Sequence, residues 1–297
     1  MSMTKQKTMM IEFRFEQAKL RKATELGEQI AKEAGFLKPP VDPFVVIRNE
    51  QGRIKHFGDN FGSDFDGRLE FQRPSFLLFY NTKYDEWSHA GKHHPKVSFT
   101  IGHELGHYFQ EHHRSYLMGG GGAHGSLTEF QSNRMVEREA DSFSSGLLMP
   151  KFLLGKIVNR AAPTLDAVKQ ARDMFQVSLT SMLVRWVQLC DFPCAVASIR
   201  GEKVGWGYCS TGFKNVGIYQ IIRGTRVSSR NAKEFISQDS SFTNFREGSG
   251  YSDISRWVGN ANQKCVVTEQ YLVVPSTQQM LVFLTAEEED IANDRDW

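Results

Sequence analysis

The chain has 297 residues, 40% of them hydrophobic and 24% charged, and its 36 basic and 34 acidic side chains leave a formal charge of +2. Such a composition excludes a disordered or low-complexity chain, and so small a net charge says little about partners. No run approaches the roughly 18–20 apolar residues that span a bilayer. The first residues lack the apolar core of a secretory leader, and four cysteines without a C-x-x-C pair (Cys190, Cys194, Cys209, Cys265) fit reduced thiols, so a cytoplasmic protein is expected.

Residues 11–34 carry Ile11, Phe15, Ala18, Leu26 and Ile30 among Lys, Arg and Glu, which predicts an amphipathic helix stopped by Gly35 and Pro39-Pro40. Phe44–Arg48 and Arg53–Phe57 read as strands joined around Asn49-Glu50-Gln51-Gly52, and the apolar run Ser75–Tyr80 as a third. A histidine-rich helix follows, then the glycine run MGGGGAHG at 118–125, which loses too much backbone entropy to hold regular structure. Helical spacing resumes from Asn133 to Leu148 and ends at Pro150. Leu165–Phe175 and Leu179–Leu189 predict two further helices, with Thr164 and Ser178 as N-caps. From Ala195 the chain turns to short β-rich pieces, AVASI, GWGYC, GIYQII, CVVTEQYLVVP and MLVFLT, before an acidic tail. These changes of texture place boundaries near residues 160 and 192.

The chemistry concentrates in FTIGHELGHYFQEHH at 99–113, which contains the H-E-x-x-H run His103-Glu104-Leu105-Gly106-His107. On a helix, residues four apart lie on one side about 6 Å apart along the axis. His103 and His107 can therefore bind one cation. Ile101, Leu105 and Tyr108 would face a core, while Gly102 and Gly106 leave room for another backbone. Glu104 can take a proton from a water that the metal acidifies, and zinc suits this chemistry. Manganese or iron in its place stays open.

A catalytic zinc needs a third protein ligand. The helix MVEREADSFSSGLLMP supplies it, with Val136, Ala140, Phe143 and Leu147 as its buried stripe. Glu137 is the favoured ligand, with Glu139 the other candidate, and Asp141 would orient a ligand histidine. Glu139 is expected to meet solvent, Arg138 or Arg134. His89, His93, His94, His112 and His113 are expected on the surface. His124, in the glycine run, is a candidate oxyanion stabiliser.

The segment Leu26–Pro150 resembles the ImmA/IrrE metallopeptidases. The resemblance rests on the helix, Gly35, Pro39-Pro40, Phe99-Thr100 before His103-Glu104-Leu105-Gly106-His107, then Glu137-Arg138-Glu139-Ala140-Asp141 and Leu147-Leu148-Met149-Pro150. It implies an α+β chain in three parts: a gluzincin-like metallopeptidase domain at 1–160, a short helix-turn-helix-like segment at 161–192, and a GAF-like sensor domain with its acidic tail at 193–297. By the same resemblance His103, His107 and Glu137 hold Zn2+ and Glu104 is the general base of an endopeptidase. Ser75–Tyr80 is then the sheet edge that receives an extended substrate. The implied substrate is a helix-turn-helix transcriptional repressor of the phage type, cleaved to release stress-response or anti-phage defence genes. The alternative is a non-catalytic sensor or DNA-binding regulator that keeps the peptidase fold. The turn Phe175-Gln176-Val177-Ser178 fits the helix-turn-helix-like segment.

Residues 200–246 hold eight Lys or Arg (Arg200, Lys203, Lys214, Arg223, Arg226, Arg230, Lys233, Arg246) against Glu202, Glu234 and Asp239. The interleaved Trp206, Tyr208, Phe213, Tyr219, Phe235, Phe242 and Phe245 either stack bases of single-stranded DNA, as an activating signal, or fill a core behind a solvated rim. Cys209 or Cys265 is a candidate for the open metal position, against an ordinary buried thiol.

Overall fold

A computed structural model describes residues 3–87, 93–121, 135–259 and 265–287, with side chains from Arg14 onward. His89, Asn133, Arg134, His124 with residues 122–125 of the glycine run, and most of the acidic tail lie outside the described residues. The described chain is mixed α+β, with ten helices and two sheets, as its patterning implies. None of its described helices is long and apolar enough to cross a membrane. It forms two compact units, Met1–Leu153 with Asp173–Ser178, and Leu154–Arg172 with Leu179–Trp297.

The first unit opens with helix α1 (Met3–Glu33). Gly35 ends it at φ +82°, a backbone conformation that costs a glycine little. There the Phe36 N–H donates to Ala31 O and the Gly35 N–H to Lys32 O, the paired bonds that close a helix through a left-handed residue. Next comes a correction. The stretch expected as a strand at Phe44–Arg48 is helix α2 (Pro43–Asn49). Asp42 Oδ1 accepts from the Phe44 N–H at 2.9 Å, and Pro43 occupies the first helical position, where its missing N–H is harmless.

Strands β1 (Ile54–Asp59), β2 (Gly67–Gln72) and β3 (Ser75–Asn81) form a sheet of order β1-β3-β2. β1 runs parallel to β3, and β2 antiparallel to it with Leu69 opposite Leu78. This corrects a second expectation, because β3 is the central strand and β2 and β1 are the edges among the described residues. The loop before β2 is tied down by Asn81, whose Nδ2 donates to the carbonyls of Gly62 and Phe65. Helices α3 (Pro95–Phe109), α4 (Glu111–Met118) and α5 (Met135–Leu148) complete the unit. Ile101, Leu105, Tyr108, Phe143 and Leu147 join Leu69, Phe76 and Leu78 in one core. Val136, expected in the buried stripe of α5, is instead 39% exposed at the start of the helix.

Helix α6 (Lys151–Val158) is followed by α7 (Leu165–Phe175) and α8 (Leu179–Leu189), both at the positions that the periodicity predicts. Thr164 Oγ1 accepts from the Ala167 N–H as the N-cap, and Gln176 turns the chain between them at φ +55°. The second unit's sheet is antiparallel throughout, in the order β5-β4-β8-β7-β6. Its strands are β4 (Cys194–Arg200), β5 (Lys203–Cys209), β6 (Glu247–Asp253), β7 (Val266–Val274) and β8 (Gln279–Thr285). Helices α9 (Thr211–Asn215) and α10 (Arg230–Gln238) lie between β5 and β6 in the chain. GIYQII, expected to be extended, forms no strand and pairs only through an isolated bridge from Ile221 to Val258.

Candidate metal centre

Three helices build the site, and glycines set how closely they approach. His94 Nδ1 caps α3 by accepting from the Lys96 N–H, with Pro95 at the first helical position. Ile101 and Leu105 anchor one side of α3 in the core, which turns His103 and His107 toward α5. A Cβ on Gly106 would lie 3.0 Å from Ala140 Cα, and one on Gly102 would lie 2.5 Å from Ser144 Oγ. The backbone that these glycines admit is therefore that of α5. Behind α5, glycines also mark the crossing with α1, where a Cβ on Gly146 would sit 2.1 Å from Thr24 O and one on Gly27 would sit 2.2 Å from Phe143 O.

This packing converges His103, His107 and Glu137. The two Nε2 atoms are 3.1 Å apart, and Glu137 places Oε2 3.2 Å from His103 Nε2 and Oε1 3.8 Å from His107 Nε2. A tetrahedral ion roughly 2.0–2.1 Å from each donor holds its donors about 3.3–3.4 Å apart. The three observed spacings bracket that edge, so two imidazoles and one carboxylate fit a divalent cation of the zinc class. His103 Nδ1 bonds Asp141 Oδ1 at 2.9 Å, which leaves Nε2 to face the other donors. Burial by itself lowers the pKa of His103, but bonds to Asp141 and Glu137 outweigh it and raise the ring to about 10.

Glu104 is buried on α3 beside Thr100 and Gly67 of β2. A Cβ on Gly67 would lie 2.7 Å from Glu104 Oε1 and 2.4 Å from Thr100 Cγ2, so only glycine leaves the carboxylate where it is. The edge strand nearest Glu104 is thus β2, and not β3 as expected.

The structure corrects the roles expected of two further residues. Glu139 does not meet solvent: it is 4% exposed, with Oε2 3.2 Å from His112 Nε2 and 3.3 Å from His113 Nε2. Arg138 instead pairs with Glu16. His113, expected on the surface, is also 4% exposed, and its Nδ1 lies 3.1 Å from His107 Nδ1. Burial lowers its pKa, as does neighbouring His112, and the carboxylate of Glu139 opposes both. No periodicity marks these residues, because the chain breaks at Gln110 between α3 and α4 and α4 then carries His113 back under the site. His112 is exposed as expected, and His93 stacks on Phe44 and bonds Asp85.

In the second unit, Phe213, Phe235 and Phe242 belong to the core, while Tyr208, Tyr219 and Phe245 are exposed. The aromatic set is thus divided between the core and the surface. Cys209 and Cys265 lie inside that same core, and burial pushes the Cys209 thiol up to about 11. Both are thus buried core thiols.

No protein-family profile and no curated protein matches the sequence. Among solved structures, the chain is similar to a Mycobacterium tuberculosis transcriptional regulator, with a TM-score of 0.54 and 11% identity. The likeness covers 90% of this chain and 76% of that one, and at this identity it is a likeness of fold.

Proposed function

We propose that the chain is a zinc-dependent endopeptidase of the ImmA/IrrE type, with a gluzincin-like catalytic unit and a GAF-like sensor unit. The observation that carries this reading is the convergence of His103, His107 and Glu137 on one point with Glu104 one residue after the first histidine. Zinc held by these three side chains would supply Lewis acidity, polarising a peptide carbonyl and acidifying a water. Glu104 accepts the proton of that water and delivers it to the leaving amine, a general-base and general-acid role. Asp141 holds the His103 ring in the orientation that presents Nε2. An extended peptide adds to β2, an edge strand among the described residues, beside Glu104.

The substrate class proposed is a helix-turn-helix transcriptional repressor, in the cytoplasm, with cleavage switched by a signal read in the second unit. Exposed Tyr208, Tyr219 and Phe245 among basic residues make single-stranded DNA a candidate for that signal. Peptidase activity measured with and without oligonucleotide at two salt concentrations tests it, and a response indifferent to both removes it.

The test of the catalytic reading is Glu104→Gln. The variant is expected to retain one equivalent of metal and to lose cleavage of a co-encoded repressor. Cleavage retained by Glu104→Gln overturns the assigned base. Metal bound by the parent without cleavage would favour the alternative, a regulator that keeps the peptidase fold.

A further inference from the structure

The two ligand histidines are supported differently. The Nδ1 of His103 reaches a carboxylate, Asp141, directly. The Nδ1 of His107 faces another imidazole nitrogen, His113 Nδ1 at 3.1 Å, and the far nitrogen of that second ring lies 3.3 Å from Glu139 Oε2. His113 and Glu139 are both buried, so the contacts are not screened by water.

Two ring nitrogens 3.1 Å apart attract each other only when one of them carries a proton. A His107 that binds metal through Nε2 offers a lone pair there, so its proton is on Nδ1 and donates to His113 Nδ1. His113 accepts at Nδ1 and therefore carries its own proton on Nε2, aimed at Glu139, which as a carboxylate only accepts. The proton positions are thus fixed from both ends of the row. We propose that His113 and Glu139 are positioning residues that set the tautomer and orientation of ligand His107. This rests on reading His103, His107 and Glu137 as the metal centre.

The proposal has a consequence for the neighbouring cluster. His112, His113 and Glu139 also bring three donor atoms within 4.8 Å of one another, a second candidate cation site. With the first site filled, the Nε2 of His113 bears a proton and has no lone pair to offer. The described residues therefore hold one metal ion and not two.

Both statements are tested on the full chain with cobalt(II), by competition against a chromophoric chelator and by the visible absorption of the bound ion. The parent is expected to bind one equivalent. His113→Ala and Glu139→Ala are expected to weaken binding about 10- to 100-fold and to alter the cobalt spectrum. Glu139→Gln keeps an amide oxygen to accept from His113 Nε2 and is expected to recover most of the affinity, whereas Glu139→Met, which fills the same space without that acceptor, is expected to stay as weak as Glu139→Ala. His112→Ala is expected to match the parent. If His113→Ala does not fold, the pair Glu139→Met and Glu139→Gln decides the matter. Parent-like affinity and spectrum in the His113 and Glu139 variants would overturn the relay while leaving the metal centre standing, as would a second cobalt equivalent abolished by His112→Ala. A parent that binds no metal would overturn both.

Discussion

Helix α5 carries Glu137 and Asp141 to the histidines, and its position depends on the crossing with α1. Gly146→Ala tests that dependence. The added Cβ would lie 2.1 Å from Thr24 O, 2.9 Å from Thr24 C and 3.1 Å from Thr24 Cα, whereas ordinary contact begins at 3.4 Å. All three atoms are backbone, so no rotamer can yield, and the helices must part locally by about 1 Å in a core packed to crystal density. Two effects then compete. Alanine favours a helix over glycine by about 1 kcal/mol. Overpacking costs about 1–3 kcal/mol, and an approach this close to main chain belongs at the upper end. The balance is a loss of about 2 kcal/mol, or about 4–8 °C in melting temperature for a unit of this size. Because Glu137 and Asp141 ride on the same helix, metal affinity should fall as well. Thermal unfolding of the metal-free chain and chelator competition on the loaded one measure the two effects. A Gly146→Ala protein that melts at or above the parent would show that propensity outweighs packing and that the crossing does not fix α5.

Three further outcomes follow from single sites. Gly67→Ala should press on Glu104 and lower kcat for repressor cleavage about 10- to 100-fold at unchanged metal affinity. Adding Thr100→Ser, which removes the methyl 2.4 Å from the new Cβ, should restore part of the rate, and a loss that tracks metal affinity instead would refute the steric account. Asp66 is buried, which raises its pKa, but Lys96, Tyr84 and Lys83 outweigh burial and hold it below the ordinary carboxylate range. A depressed folded pKa stabilises above the unfolded value of about 4 and loses that contribution as pH falls through the folded pKa. Urea midpoints of the parent and Asp66→Asn should therefore differ most at pH 7 and draw together as the pH falls below about 4; a constant gap would contradict the charge pairing. Glu269, fully buried in β7, accepts from Ser229 Oγ, Ser252 Oγ, Trp257 Nε1 and Tyr271 OH. Glu269→Ala removes the shared acceptor of four donors and should cost about 3 kcal/mol or more in urea unfolding, with a loss below 1 kcal/mol counting against the network.

What could be read from the sequence was whatever a single element encodes. The i, i+4 spacing of His103 and His107, the apolar stripe Ile101, Leu105 and Tyr108, and the pairing of Glu137 with Asp141 all follow from one helix at a time, and each matches the geometry. The extents of α7 and α8 are equally local. Strand order is not: nothing in Ser75–Tyr80 shows that GRLEFQ, whose buried and exposed positions alternate imperfectly, would pair outside it and take over the edge. At Phe44–Arg48 the β-branched run obscured a better signal. Asp42-Pro43 is an N-cap followed by a first-turn proline, and the hydrogen bond from Phe44 shows that this pair decides the conformation.

Glu139 shows most clearly where single-element reasoning stops. Residues two apart on a helix point about 200° away from each other. With Glu137 turned to His103 and His107, Glu139 therefore cannot reach the same point, and from α5 alone solvent is the natural place for it. A buried carboxylate without a partner would cost several kcal/mol, so its burial requires donors from another element. Those donors come from α4, a helix that begins only because Gln110 breaks α3 at an extended ψ of 115°. The break brings His113 beneath His107 and within reach of Glu139. Two of the three acids of α5 thus bear on His107 from opposite sides: Glu137 lies near the Nε2 that faces the other donors, and Glu139 reaches the Nδ1 that faces away through His113.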